Sequence, residues 1–231
     1  MKINLEKKKY LSSVTLIRGI AAVAVCLFHF TKSLLANSLD IAGPWMPYAW
    51  IGVEVFFVIS GFVIPYALLG LSFKGKHYGG YLLKRLIRIE PAYLASIALI
   101  IVLNYLSSLF TIYKGPPFSV SWHNILLHLG YLVEFFDGTW MNAVYWTLAI
   151  EFQYYLVIGF LLILWNRNNT YLTIVSLLAF FALSFIPQDA VRFLKHTDIF
   201  TVGIICAFYK KKYIDIKYFL LLVAAVGAVI Y

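Results

Sequence analysis

Ala49–Gly70 reads AWIGVEVFFVISGFVIPYALLG, and its reading decides which solvent the chain is built for. Its length is near the roughly 20 residues that carry a helix across about 30 Å of hydrocarbon. One charged residue, Glu54, interrupts the apolar run. The run is continuous rather than alternating, which argues for a spanning helix and against a strand of an outer-membrane barrel. Working outward, similar runs occupy residues 15–36, 89–112, 144–165, 170–187, 199–209 and 217–231, the sixth in chain order being short. With 62% hydrophobic and 13% charged residues and a mean hydropathy of +0.84, a soluble fold is excluded, because its interior could not hide that much apolar surface.

The expectation is an all-α integral membrane protein: a polytopic bundle of about seven spans in one domain covering residues 1–231. The stretch Trp122–Phe136 is apolar but brief, carries His123 and His128, and lies between Pro116-Pro117 and Asp137-Gly138. It is expected to be re-entrant or interfacial. The net charge of +9 comes in short clusters between apolar runs, which reads as topology rather than nucleic-acid binding. With Trp122–Phe136 not crossing, the N-terminal lysines, a Lys74–Arg88 loop, Arg167 and Lys210-Lys211-Lys212 all fall on the cytoplasmic side. The loop with Asp189, Arg192, Lys195, His196 and Asp198 is then external. Lys7-Lys8-Lys9 precede an apolar run, but Arg18 and the lack of a small-residue cleavage site favour an uncleaved first helix. Cys26 and Cys206 lie in apolar runs, with no spacing that supports a disulfide framework or a metal site, and are expected to be small core residues.

Ionisable groups inside membrane helices cost on the order of 3 kcal/mol each, so those retained are candidates for function. Arg18 and His29 stand eleven residues apart in the first run, within about 20° of one helical face. Counted from the cytoplasmic end, His29 lies about 20 Å into the membrane. Glu151, about 9 Å below the outer boundary on the same count, shares its level. A neutral imidazole and a carboxylate at one level suit general-base work on a hydroxyl. Glu54 is a possible third member. Arg85 and Arg88, with Lys84 beside them, form a second layer at the cytoplasmic edge that suits phosphates. Blander readings stand beside these: Arg18 can snorkel, Lys84, Arg85 and Arg88 can be topology anchors, and His77, His123 and His128 fit surface or interface positions.

Four blocks resemble the bacterial acyltransferase-3 membrane proteins. Leu16-Ile-Arg-Gly-Ile-Ala-Ala through His29-Phe30 is similar to the family's opening. Gly52-Val-Glu-Val-Phe-Phe-Val-Ile-Ser-Gly-Phe-Val-Ile is similar to its second-helix signature. Lys84-Arg-Leu-Ile-Arg-Ile-Glu-Pro resembles its Arg-x-x-Arg segment, and Trp146-Thr-Leu-Ala-Ile-Glu-Phe-Gln-Tyr-Tyr-Leu its Trp-Ser-Leu block. The serine of the last block is Thr147 here, and its second glutamate is Phe152.

The resemblance implies a membrane-embedded enzyme of the inner membrane, N-terminus cytoplasmic. It would move an acyl group, commonly acetyl, from cytoplasmic acyl-CoA to a hydroxyl of a surface or exported glycan. Acetyl-CoA would be a co-substrate, with no bound cofactor and no metal. The partners implied are the lipid bilayer, acyl-CoA and a glycan or lipid-linked saccharide acceptor. By position in the blocks, His29 and Glu151 are catalytic, His29 as base or transient acyl carrier and Glu151 orienting it. Arg85 and Arg88 hold the donor's phosphates, Arg18 guides the thioester, and Glu54 and Trp146 are supporting. Family members continue for several further helices, so this chain is expected to cover roughly the N-terminal two thirds. The competing readings are a non-enzymatic glycan or solute transporter, whose path the same polar stripe would line, and an inactive, truncated member of the family.

Overall fold

Lipid offers the backbone no hydrogen-bond partner, so apolar runs of this length must satisfy their own amides, and they do so as helix. The computed structural model describes residues 5–34, 48–69, 71, 73–110, 119–165, 170–187 and 191–230. Its helices are α1 (Leu5–Leu34), α2 (Ile51–Leu68), α3 (Tyr78–Ser108), α4 (Trp122–Leu129), α5 (Tyr145–Trp165), α6 (Thr170–Ala182), α7 (Arg192–Lys195), α8 (Thr197–Lys210) and α9 (Ile216–Ile230), and no strand occurs among the described residues. Arg167, Asp189 and Pro116-Pro117 lie outside the described residues.

Among the described residues four segments are long and apolar enough to cross a bilayer: Ser12–Phe30, Ile51–Leu68, Gly75–Ser108 and Tyr145–Trp165. Tyr171–Phe185 and Ile216–Gly227 are apolar but shorter. The expectation of about seven spans is thus matched in length by four. Trp122–Phe136 contains only the eight-residue α4, too short to cross. The largest boundary difference is in α3, which begins at Tyr78 and not near residue 89, so the expected Lys74–Arg88 loop is mostly helix. Its basic residues read as a loop because they lower hydropathy, yet long cationic side chains sit well on a helix that leaves the membrane.

The chain divides into two compact units, Met1–Leu69 with Ile174–Ile186 and Leu194–Tyr231, and Gly70–Thr173 with Pro187–Phe193. In the first, α2 and α8 cross at glycines. A Cβ on Gly203 would land on the Val58 carbonyl oxygen and a Cβ on Gly61 on that of Phe200, so the two backbones meet where no side chain intervenes. The 14-residue α8 is about 21 Å long, short of a full crossing. It is nonetheless the deepest element, with Phe200, Ile204 and Ala207 at 0% exposure. Gly52 of α2 faces Ala21 and Val25 of α1, while α1 turns Leu16, Ile20, Val23 and Leu27 outward, as a lipid-facing helix does. Cys26 is exposed on α1 and Cys206 half-buried on α8, so the core placement expected for both holds for neither in full.

In the second unit α3 and α5 run antiparallel. Tyr78 and Tyr81 pack on Gly159, the Tyr78 hydroxyl donates to the Leu156 carbonyl at 2.9 Å, and at the other end the Tyr145 hydroxyl donates to Ser96 Oγ at 2.9 Å. Pro91 lies inside α3 and leaves the Ile87 carbonyl without its helical donor. The segment after α4 folds back on this pair, and Tyr93, Ile97, Tyr131, Tyr145 and Ala149 form a buried cluster.

Candidate functional site

Glu151 sits in the second turn of α5, and Tyr155 follows it by four residues, the spacing that stacks two side chains on one helical face. The Tyr155 hydroxyl donates to Glu151 Oε1 at 2.5 Å, and its side chain is only 3% exposed. Arg85 reaches the same place from α3. Its guanidinium carbon lies 5.7 Å from the ring centroid of Tyr155 and 5.7 Å from that of Tyr81, within the range of a cation–π contact. The charge of Arg88 also acts on Tyr155, and that of Glu151 on Tyr81. The expected separation into an outer carboxylate layer and an inner arginine layer is therefore corrected here: one buried tyrosine joins Glu151 to Arg85. The three basic residues also part company. Arg85 turns toward α5 and is half-buried, whereas Lys84 and Arg88 are exposed.

A second carboxylate belongs to this site and was missed from sequence. Glu90, twelve residues into α3, is half-buried, and its charge acts on Tyr93 and Tyr131. The signal was present, since a carboxylate that far inside an apolar helix is unusual, but it lies within the Arg-x-x-Arg block and was read as part of it. Tyr131 is stacked between Tyr93 at 5.2 Å and Phe152 at 4.7 Å. Its φ of 57° is left-handed, a conformation that costs a non-glycine residue about 1–2 kcal/mol and that the surrounding packing must enforce. Burial, with Glu90 and Glu151 adding to it, lifts the Tyr131 phenol well above its ordinary range. Arg85, Arg88, Glu90 and Glu151 thus place two cations and two anions along the α3–α5 pair.

The other expected residues fall as follows. Arg18 is half-buried and His29 exposed on α1, His29 ringed by its neighbour Phe28 at 5.4 Å. Both belong to the first unit and Glu151 to the second. Trp146 is half-buried in the first turn of α5. Glu54 interacts with the charges of Asp198 and Lys195, while the His196 ring lies 5.1 Å from Phe57. The external loop expected around residues 192–198 is therefore largely α7 and the start of α8.

His77 and His123 are exposed as expected, but His128 is not: it is 0% exposed. Its Nδ1 lies 2.8 Å from the Asn124 carbonyl, the Met141 amide donates to its Nε2 at 3.2 Å, and Trp140 and Tyr145 pack edgewise on the ring. These partners call for a neutral ring with the proton on Nδ1. Local hydrogen bonding, which hydropathy does not register, supplies what burial of an imidazole requires. Among the described residues no three His, Cys, Asp or Glu side chains gather as a metal site would need.

Against known proteins, the family model described as Acyltransferase domain matches residues 11–231. The chain is 28% identical over 173 residues to peptidoglycan O-acetyltransferase OatA of Listeria monocytogenes, covering 70% of this chain and 26% of that protein. It is also 28% identical over 170 residues to nodulation protein 10 of Rhizobium leguminosarum, covering 66% of this chain and 44% of that protein. The chain thus spans less than half the length of these relatives. No solved structure matches significantly.

Proposed function

The chain belongs to the acyltransferase domain family, and on that footing we propose that it is a multi-pass O-acyltransferase of the inner membrane. In this reading it moves an acyl group, acetyl by preference, from cytoplasmic acyl-CoA to a hydroxyl of a surface or exported glycan or a lipid-linked saccharide. The N-terminus faces the cytoplasm. The observation that carries the reading is the joined set of Arg85, Tyr155 and Glu151, which puts a phosphate-compatible cation beside an oriented carboxylate in a lipid-shielded place.

The chemistry follows from those groups. Arg85, with Arg88 at the exposed edge, holds the donor's phosphates by charge-assisted hydrogen bonds. Arg18 guides the thioester end inward. His29 takes the proton from the acceptor hydroxyl as its oxygen forms a bond to the thioester carbonyl carbon. The carbon–sulfur bond then breaks, and the CoA thiolate leaves and is protonated. In the alternative, the imidazole nitrogen bonds to the acyl carbon as the carbon–sulfur bond breaks, and the acceptor oxygen then takes the acyl group as the nitrogen–carbon bond breaks and the hydroxyl proton is released. Glu151 supplies the carboxylate for the acid–base chemistry, and Glu54 and Trp146 are supporting residues.

Membranes containing the full chain, supplied with radiolabelled acetyl-CoA and isolated envelope glycan, test this. Labelled ester should form on the glycan and fall about 100-fold or more in His29→Ala and in Glu151→Ala. Full activity in both variants overturns the assignment of the two residues. Absence of label from the wild type, with solute movement across the vesicle instead, favours the transporter.

A further inference from the structure

We infer that Tyr155 is a positioning residue whose ring sets the donor-binding Arg85 and whose hydroxyl sets the carboxylate of Glu151. The inference rests on the acyltransferase reading and adds a residue to it. Two observations carry it. The hydroxyl donates to Glu151 Oε1 at 2.5 Å, and the ring lies 5.7 Å from the Arg85 guanidinium carbon.

A glutamate side chain has three rotatable bonds, and in a lipid-shielded bundle little water is present to hold it. A phenol on one oxygen fixes the carboxylate plane. A hydrogen bond to a charged group is among the stronger ones a side chain makes, enough to select one rotamer. The same side chain acts on Arg85 by another route. Contact through a ring face holds a guanidinium by its charge and in itself consumes none of the N–H donors that a phosphate would take. Tyr81, four residues before Arg85, provides a second such face. Gly159, against which Tyr78 and Tyr81 pack, keeps α5 close enough to α3 for Tyr155 to meet Arg85. One rigid, 3% exposed ring thus fixes the distance between the donor site and the carboxylate, a separation that a flexible pair of charges would not keep.

The two roles separate by substitution. Tyr155→Phe keeps the ring and removes the hydroxyl, so kcat falls about 10- to 100-fold while KM for acetyl-CoA stays within about twofold of wild type. Tyr155→Leu removes both, and KM for acetyl-CoA rises as well. In a Glu151→Gln background Tyr155→Phe costs much less than alone, because the bond it removes is already weakened. The melting temperature in detergent identifies any variant that fails to fold; Tyr155→Phe, lacking a single oxygen, suffices for the test if Tyr155→Leu does not fold. A wild-type kcat in Tyr155→Phe overturns the role, and so does an equal loss in both backgrounds. A wild-type chain that transfers no acyl group overturns the acyltransferase reading itself, and this role falls with it; an active wild type with a fully active Tyr155→Phe overturns the role alone.

Discussion

His123 and His128 stand five residues apart in α4 and have opposite fates, one exposed and the other sealed from solvent. Replacing His128 with alanine opens a cavity between Trp140 and Tyr145 and strands the Met141 amide. Unfolding in detergent should show a loss of about 2–4 kcal/mol, whereas His123→Ala should stay within about 0.5 kcal/mol of wild type. A tolerant His128 would mean that the fold-back after α4 contributes little to stability. Nothing in the sequence separated these histidines, because the difference lies in a carbonyl, an amide and two rings brought from elsewhere. Glu151 was legible, as a carboxylate deep in an apolar run. Its link to Arg85 was not, since tyrosine reads as an interfacial residue in hydropathy and its hydroxyl partner is invisible there.

Helices were legible from the sequence wherever apolar runs were unbroken, and α2 and α5 came within a few residues of their observed limits. Charge blurred the start of α3, and the mixed polarity of residues 192–198 concealed α7. The meeting of α2 with α8 was not legible, because glycines at a crossing look like any others in a hydrophobic helix. That crossing gives a sharp contrast. Gly203→Ala forces a methyl into the Val58 carbonyl and the Phe62 amide, and should cost about 2 kcal/mol or more, since neither backbone can yield. Gly227→Ala in α9 meets nothing within 4 Å and should be neutral or stabilise by up to about 1 kcal/mol through helix propensity. Equal thermal shifts for the two would show that α2 and α8 have room to separate.

For the molecule as a whole, the clusters of positive charge predict which ends of the helices share a compartment. In a Cys26→Ser, Cys206→Ser background, cysteines placed at Lys8 and at Lys212 should both react with an impermeant maleimide added to the cytoplasmic side. Labelling of either from outside would overturn the orientation. The count of crossings was the part of the architecture least legible, because a short apolar run is compatible both with lipid and with burial inside protein. The structure of α8 shows the second case. Its core-facing side chains are surrounded by its own chain, so they answer to shape more than to greasiness. Swapping Ile204 for the equally oily but bulkier phenylalanine should harm it more than a smaller, less oily valine would, and lengthening the lipids should leave it indifferent while the long outer helices tilt to follow.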